Sequence, residues 1–506
     1  MAPILMRYTN SRLIIVIVVL GLLLRVVFLV VGAPAFYHSP TDFYFNGDSN
    51  SYTLAFENWW RTGHYTFNFS EPDAAVGRLP GYPFFYGLIR VLVGPNLAPA
   101  AVAWVQVLLD SGTILLVYGC LRRLVPARPV AALLGALLYA TYPFIIIWTP
   151  IVGTECLSTD LALLWVYGLL NWRSTARFAV AMGLLLALNL FVREYMAVLL
   201  PVTLLFVLLR ESNAGWRPAL RLSALVGFGF ALLYLGWPVR NYLSLHRVVL
   251  LKPRTAGYAN FTPEVAEYNA WVHGWTNNEN PWRDSILFGS PRIHFPADVF
   301  PTSADAEIAH QLVSQARICG SGYFVQRRSA NRQPITNFAT DTAYQRIRAR
   351  NCNEATGAGF RTLRANFQQA FPVRYWMVVP LKNMGKTVFK SDTNASQTGA
   401  RGWLQRGLFA YRSLLLLLGW AGLLLYLRRQ PVLLAVGTFV GIIYAYMWFI
   451  MRGVEMRYLL QTDVLMLLPA AMLLSRLLPY VVRQFRPAVS SVKAGVVPAT
   501  PLSTLR

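Results

Sequence analysis

Apolar residues in this chain gather into long unbroken runs, and the runs have the length that crosses a bilayer, roughly 17 to 25 residues for about 30 Å of hydrocarbon. They lie near 13–32, 98–121, 130–149, 156–171, 178–192, 195–210, 222–239, 407–427, 431–451 and 457–478. The pattern predicts an all-α polytopic membrane protein with about ten transmembrane helices. Only Arg193 and Glu194 separate the sixth run from the fifth, so one long kinked helix and a tight hairpin both fit there. Between the first two runs the period changes. Tyr52, Ala55, Phe56 and Trp59 recur at three- and four-residue spacing after Asp48, which suits a short amphipathic helix in the interface with its aromatic face down. Residues 79–93 give a second such helix, too short to span and entered through the Pro80-Gly81-Tyr82-Pro83 turn.

The basic residues orient these elements, because anionic inner-leaflet lipid and the insertion machinery retain Lys and Arg on the cytoplasmic side. Arg7 and Arg12 place the N-terminus there. Alternation then puts Arg122, Arg123, Arg128, Arg173, Arg177, Arg210, Arg217, Arg221, Arg428, Arg429, Arg483, Arg486 and Lys493 on the same side, where Glu211 is almost the only acid. The expected location is the cell inner (plasma) membrane, with both termini cytoplasmic. Outside lie the loop 33–97, the turn around Glu155, and a long stretch from 240 to 405 that holds His246, His273, His294 and His310. That stretch is rich in Asn, Arg, Pro and Gly and is expected to form a mixed or mainly helical outer segment. Its helical patterns at 304–318 and 340–349 would carry Asp305, Glu307, Arg346 and Arg348 on their wet faces. The expected division is a transmembrane module at 1–239, the extracytoplasmic segment at 240–405, C-terminal transmembrane helices at 406–480, and a cytoplasmic tail at 481–506.

Composition narrows the class. With 506 residues, 55% of them hydrophobic and only 13% charged, this is no ordinary soluble enzyme. The net charge of +24 is spread over every cytoplasmic loop and the outer segment, so topology and membrane lipid account for it without a nucleic-acid partner. The first run is too long for a signal peptide. Cys120 and Cys156 fall in spans. Cys319 and Cys352 share the outer segment and can pair if that side is oxidising, closing a loop of about 34 residues worth on the order of 3 to 4 kcal/mol. No spacing suggests structural zinc, no internal repeat is seen, and no glycine loop cradles a phosphate. The glycosylation-like patterns at Asn68, Asn260 and Asn394 read as coincidence.

The chemistry concentrates in the first outer loop, at Gly47-Asp48-Ser49-Asn50-Ser51-Tyr52 and Arg78-Leu79-Pro80-Gly81-Tyr82-Pro83. Asp48 stands at the outer edge of the membrane, where partial solvation leaves its basicity raised or tunable beside lipid headgroups. Taken together, these residues resemble the GT-C glycosyltransferases, in particular the bacterial branch related to protein O-mannosyltransferases and aminoarabinose transferases. Tyr142-Pro143, Gly153-Thr154-Glu155, the stretch from Gly183 to Arg193, Trp237-Pro238-Val239-Arg240-Asn241-Tyr242 and Glu455-Met456-Arg457-Tyr458 follow in the order that family shows. The likeness covers 10–250 and 405–480.

The resemblance implies transfer of a sugar from a polyprenyl-phosphate donor to an acceptor hydroxyl on the outer face, with inversion. The acceptor could be a lipid, a glycan or a protein. Asp48 maps to the acid of the first loop, as base or acceptor holder, and a partly desolvated carboxylate can take the hydroxyl proton. The leaving lipid phosphate needs fixed cations, for which Arg240 and Arg457 are the first candidates, with Arg78 and Arg193 behind them. Tyr52, Tyr82 and Tyr458 are expected to position substrate. Many relatives carry a second acid after the first, where this chain has Ser49. A metal-bound site is therefore in doubt, a divalent metal is left open, and Glu155 is the candidate for the missing carboxylate. Blander readings exist: Asp48 as a helix cap, the arginines as snorkelling residues, Asp110 and Gln106 as interhelical hydrogen-bonding groups, and Arg25 as an arm to a headgroup. A transporter or flippase of lipid-linked saccharides and an oligosaccharide ligase or polymerase are the alternative functions.

Overall fold

The structure, a computed structural model, describes residues 2–39, 42–253, 255–289, 293–335, 337–389 and 399–485, with backbone alone for 2–11 and 479–485. The side chains of Arg7 and Arg483, and Arg486, Lys493, the Asn394 pattern and the tail from 486 onward, lie outside the described residues. The last helix, Met456–Phe485, runs past the expected start of that tail.

Among the described residues every regular element is helical. Seven helices are long and apolar enough to cross a membrane: Arg12–Phe36, Ala98–Leu124, Glu194–Ala214, Trp216–Leu245, Ala400–Arg429, Pro431–Met451 and Met456–Leu478. The other three apolar runs give shorter helices, Pro129–Ala140, Thr154–Leu170 and Ala176–Val192. The run at 130–149 is broken by its own sequence. Pro143 disfavours helical backbone at the residue before it, so Tyr142 is extended and the helix stops at Ala140 after 12 residues. At 1.5 Å per residue that is about 18 Å, well short of the hydrocarbon core.

The ambiguous pair resolves as a hairpin. Arg193 is extended between the two helices, and Glu211 at the end of the second accepts hydrogen bonds from Trp172 and Ser174, just before the first, each at 2.8 Å. The first helix therefore starts where the second ends. The same pairing satisfies the one acid of the basic end of the bundle.

The most buried element is the last helix, in which every residue from 459 to 473 is buried. A helix that is apolar all round belongs in the centre of a bundle, and the few polar groups it carries are paired. Arg412 on Ala400–Tyr426 grips Asp463 through two bonds of 2.6 and 2.9 Å, and Tyr142 donates to the same carboxylate at 3.1 Å. Arg25 does not reach outward. It is fully buried against Asp110, which also accepts from Tyr139, and its Nη1 donates to the Ala140 carbonyl at 3.0 Å. Gln106 donates to the carbonyls of Thr149 and Ile151 at 2.9 and 2.8 Å. Each tie joins helices far apart in sequence.

The outer segment has its own core of Tyr268, Trp271, Tyr323, Phe360 and Phe367, centred on Pro263–Trp275 packed against Asn353–Ala370. A disulfide joins Cys319 and Cys352, with Cα atoms 6.1 Å apart. The patterns at 304–318 and 340–349 form Ser303–Cys319 and Thr342–Arg348. Glu307 and Arg346 are exposed as expected. Asp305 is instead buried, since it pairs with the Thr302 cap and accepts from Asn366 at 2.7 Å. The segment's ends also move inward, because Trp216–Leu245 continues past 239 and Ala400–Tyr426 begins before 406.

Candidate active site

Both amphipathic patterns of the first outer loop form helices, Ser49–Thr62 and Gly81–Val93. They pack together through Phe56 against the Gly87 backbone and through an Arg90–Glu57 pair with bonds of 2.8 and 3.0 Å. A Cβ at Gly81 would lie 2.6 Å from the Phe191 backbone, so glycine lets the second helix start against the end of Ala176–Val192.

Asp48 occupies the N-cap position of the first of these helices, yet its side chain caps nothing. Asn46 does that work: its Oδ1 accepts from the backbone N–H groups of Asp48 and Ser49 at 2.9 and 3.1 Å. The carboxylate is thereby free to face elsewhere. Its Oδ1 accepts from Arg78 Nη2 at 2.9 Å and from the Tyr258 hydroxyl at 3.1 Å, and its Oδ2 accepts from Arg457 Nη1. The side chain keeps 30% of its surface open, which leaves it reachable from outside. Burial pushes the Asp48 carboxyl up, but Arg78 and Arg457 beside it outweigh this and hold it below the usual carboxylate range. The expectation of raised basicity is thus corrected, because two cations sit on one acid.

Arg78 is buried and directed by its neighbours. Its Nε donates to Ser51 at 2.8 Å, its Nη1 to the Tyr52 hydroxyl at 3.0 Å, and its guanidinium lies 4.1 Å from the centre of the Tyr52 ring. Burial pushes Tyr52 up to about 12, with Arg78 opposing, so the phenol stays protonated at neutral pH. Tyr82 supports from behind, edge-on to Tyr52 at 5.2 Å and donating to Gln106 at 2.9 Å.

The second cationic wall comes from the central helix and the hairpin. Arg457 donates to Glu455 at 2.8 Å and to the Tyr458 hydroxyl at 3.0 Å. Arg193 pairs with Glu155 at 3.2 Å and lies 5.0 and 5.4 Å from the ring centres of Tyr195 and Tyr458. The two guanidinium groups therefore share the Tyr458 ring. Lys252 pairs with Glu194 and contributes to the field at Asp48. Four acids and four cations meet where the first loop, the hairpin and the central helix converge.

Arg240 stands apart from this cluster. Its Nη1 donates to Ala75 O at 2.7 Å and its Nη2 to Tyr65 O at 2.8 Å, so it braces the first outer loop against Gly236–Leu245. A cavity of about 680 Å³ lies beside it, and Asp48, Arg78 and Arg457 are not in its lining.

A divalent metal does not fit at Asp48, because guanidinium groups face both of its oxygens and Glu155 is already paired with Arg193. Asp110, Cys156 and Asp160 do converge in the bundle, but Arg25 sits on Asp110 and supplies the cation that such a group would seek.

Tyr258 was not legible from the sequence. It lies 207 residues from Ser51, whose hydroxyl it meets at 2.9 Å, on a loop without a pattern of its own. What delivers it is contact between two glycines and two backbones: Gly77 meets the Ala256 carbonyl, and Gly257, at φ 71°, meets Asp73 and Ala74. Lys252, a few residues before Tyr258, and Glu194, beside Arg193, were missed as well.

No family model and no curated protein matches the sequence. Solved structures do. The oligosaccharyltransferase of Archaeoglobus fulgidus, tethered to an acceptor peptide containing the NVT sequon, superposes with a TM-score of 0.50 at 13% identity, over 94% of this chain and 50% of that one. The archaeal oligosaccharyltransferase AglB from Archaeoglobus fulgidus, in complex with an inhibitory peptide and a dolichol-phosphate, gives 0.48 at 13% identity, over 94% and 52%. The chain spans about half the length of these proteins, and at such identity the likeness is one of fold.

Proposed function

We propose that this chain is a GT-C-type membrane glycosyltransferase of the inner (plasma) membrane, with both termini cytoplasmic and about ten crossings, one of them made by Pro129–Ala140 together with the turn that follows it. It would take a sugar from a polyprenyl-phosphate donor on the outer face and pass it to an acceptor hydroxyl with inversion. The observation that carries this reading is an ionised, reachable Asp48 set between Arg78 and Arg457 at the convergence of the first outer loop with the central helix. The likeness of fold to an oligosaccharyltransferase supports it from a second direction.

In this reading the acceptor O–H gives its proton to Asp48 as its oxygen bonds to the anomeric carbon. The bond from that carbon to the phosphate oxygen breaks, and its electron pair leaves with the lipid phosphate. Arg457, Arg193 and Lys252 would compensate the developing charge, a role for which fixed cations in a site of low dielectric are suited. The phosphate competes with Asp48 for Arg457. Donor binding would therefore lift the cation off the carboxylate and restore the basicity that Arg457 suppresses. Tyr52 and Tyr458 hold Arg78 and Arg457 in line, and Glu155 orients Arg193. Arg240 would act by bracing the first loop. The segment 240–405 would cover the site and present the acceptor, whose class is a lipid, glycan or protein.

Asp48→Asn should lower sugar transfer from a polyprenyl-phosphate-linked donor by about 10²- to 10⁴-fold, the usual worth of a general base, with membrane insertion unchanged. Wild-type turnover in that variant would end the reading. A glycolipid and glycoprotein profile of cells with and without the chain then names the sugar and its acceptor.

A further inference from the structure

The cavity beside Arg240, about 680 Å³, has the size of a small-molecule site. It opens between the first outer loop and the helix that ends at Leu245. Its walls combine two kinds of surface. Aromatic rings form one: Trp59 lies edge-on to Phe84 at 4.8 Å, and Tyr65 stands edge-on to Trp237 at 5.9 Å, so the rings fix one another. The other surface is polar, with Asn68, Glu71 and Arg240.

These polar groups are held from outside the cavity. Tyr344 of the outer segment donates to Glu71 at 2.7 Å, and Arg348 pairs with the same carboxylate at 3.4 Å while bonding to Ser70 O at 2.6 Å. Arg240 is pinned among the carbonyls of Tyr65, Ala75 and the Asn241 side chain. Two segments more than 270 residues apart in sequence thus build one wall.

The lining selects among occupants. An anion would meet the Glu71 carboxylate, and three of the five N–H donors of Arg240 are already taken by neutral oxygens, leaving two for a hydroxyl rather than a full guanidinium fork for an anion. An alkyl chain would suit the apolar part of the lining, with Phe191, Leu233 and Leu245, but would leave the remaining hydrogen-bonding capacity of Asn68, Glu71 and Arg240 unused. A pyranose or furanose ring fits both surfaces: its C–H face lies on an aromatic ring, and its hydroxyls exchange hydrogen bonds with Asn68, Glu71 and Arg240. We propose that this cavity binds one uncharged sugar unit of a larger saccharide.

Tyr65 links the cavity to the Asp48 cluster. The ring of Tyr65 lines it, while the Tyr65 hydroxyl donates to the carbonyl of Arg78 at 3.1 Å. If the transfer reading holds, on which this extension alone rests, the unit bound here belongs to the acceptor or to a donor glycan longer than one sugar. Binding itself does not require catalysis.

The test is calorimetric titration of the purified full chain with uncharged tetrasaccharides of glucose, mannose, galactose and arabinose, and separately with undecaprenyl phosphate. At least one tetrasaccharide should bind saturably at millimolar concentration. Ser244→Trp, at an exposed lining position, should weaken it about tenfold or more by filling the space, and Trp59→Leu should do the same by removing a stacking face. Asp48→Asn should leave it intact. Binding of no tetrasaccharide overturns the proposal, as does undecaprenyl phosphate binding that Ser244→Trp abolishes. Saccharide binding alongside full turnover in Asp48→Asn would instead sink only the catalytic assignment.

Discussion

At Asp48 two pressures oppose one another: burial raises its pKa, and the adjacent Arg78 and Arg457 lower it by more. A carboxyl whose folded value is depressed adds stability that is complete above its unfolded value, near 4, and that is lost as pH falls through the lower folded value. Asp48 therefore stays ionised well below neutrality. Arg457→Gln removes one of the three lowering charges, Arg78 and Lys252 being the others, so the acid limb of the turnover profile should move to higher pH. A profile that stays in place would show that Asp48 does not set it. Tyr258→Phe deletes one donor to Asp48 and the contact with Ser51. Hydrogen bonds to charged groups contribute about 1.5–3 kcal/mol of stability, so Tyr258→Phe should lower the melting temperature by a few degrees and, by removing a donor to the carboxylate, move the acid limb of turnover to higher pH; an unchanged limb would show that Tyr258 does not act on Asp48. Asp48, Arg78, Glu155, Arg193 and Arg457 each stood out in sequence because a charge at a membrane edge demands an explanation. Tyr258 did not, because a tyrosine in a polar loop demands none.

The apolar runs marked the helices themselves, and their ends were set by finer chemistry. Pro143 cut one run into a short helix and a turn, and extended backbone at Arg193 turned a continuous pattern into a hairpin. Periodicity cannot register such breaks when the flanking residues are equally apolar. The outer segment depends on a different device. Its disulfide closes a stretch of 33 residues between Ser303–Cys319 and Asn353–Ala370. Replacing both cysteines with serine should destabilise that segment by about 3 kcal/mol on the chain-entropy account, read as an earlier thermal transition by tryptophan fluorescence. An unchanged transition would mean that the aromatic core around Trp271 holds it unaided.

For the molecule as a whole, the segments that alternation assigns to the outer face gather at one end of the bundle, where Asp48, Glu155, Arg193, Lys252 and Arg457 meet. Glu211 and Trp172 mark the other end. Cys120 and Cys156 are buried and the remaining cysteines are joined, so a single introduced cysteine reports its own side. Glu307→Cys should accept a membrane-impermeant maleimide in intact cells, and Arg128→Cys only after lysis, since both positions are exposed. The opposite result would invert the topology. His273 is a poor reporter, with 14% of its side chain open and Glu279 at 3.1 Å.

Hydrophobic run length, basic residues at alternate loops and charged motifs at the membrane edge were written locally; they marked the all-helical class and where the apolar helices lie, though seven rather than about ten of the described helices are long enough to cross, and they picked out five charged residues of the candidate site. The tertiary structure alone decided which of those charges touch. It separated Arg240 from Asp48, buried Arg25 against Asp110, and brought Tyr258 and Tyr344 onto the first loop from the far outer segment. The reason is physical: a bilayer acts on each stretch of chain by itself, whereas pairing of charges in a low-dielectric site depends on packing between stretches hundreds of residues apart.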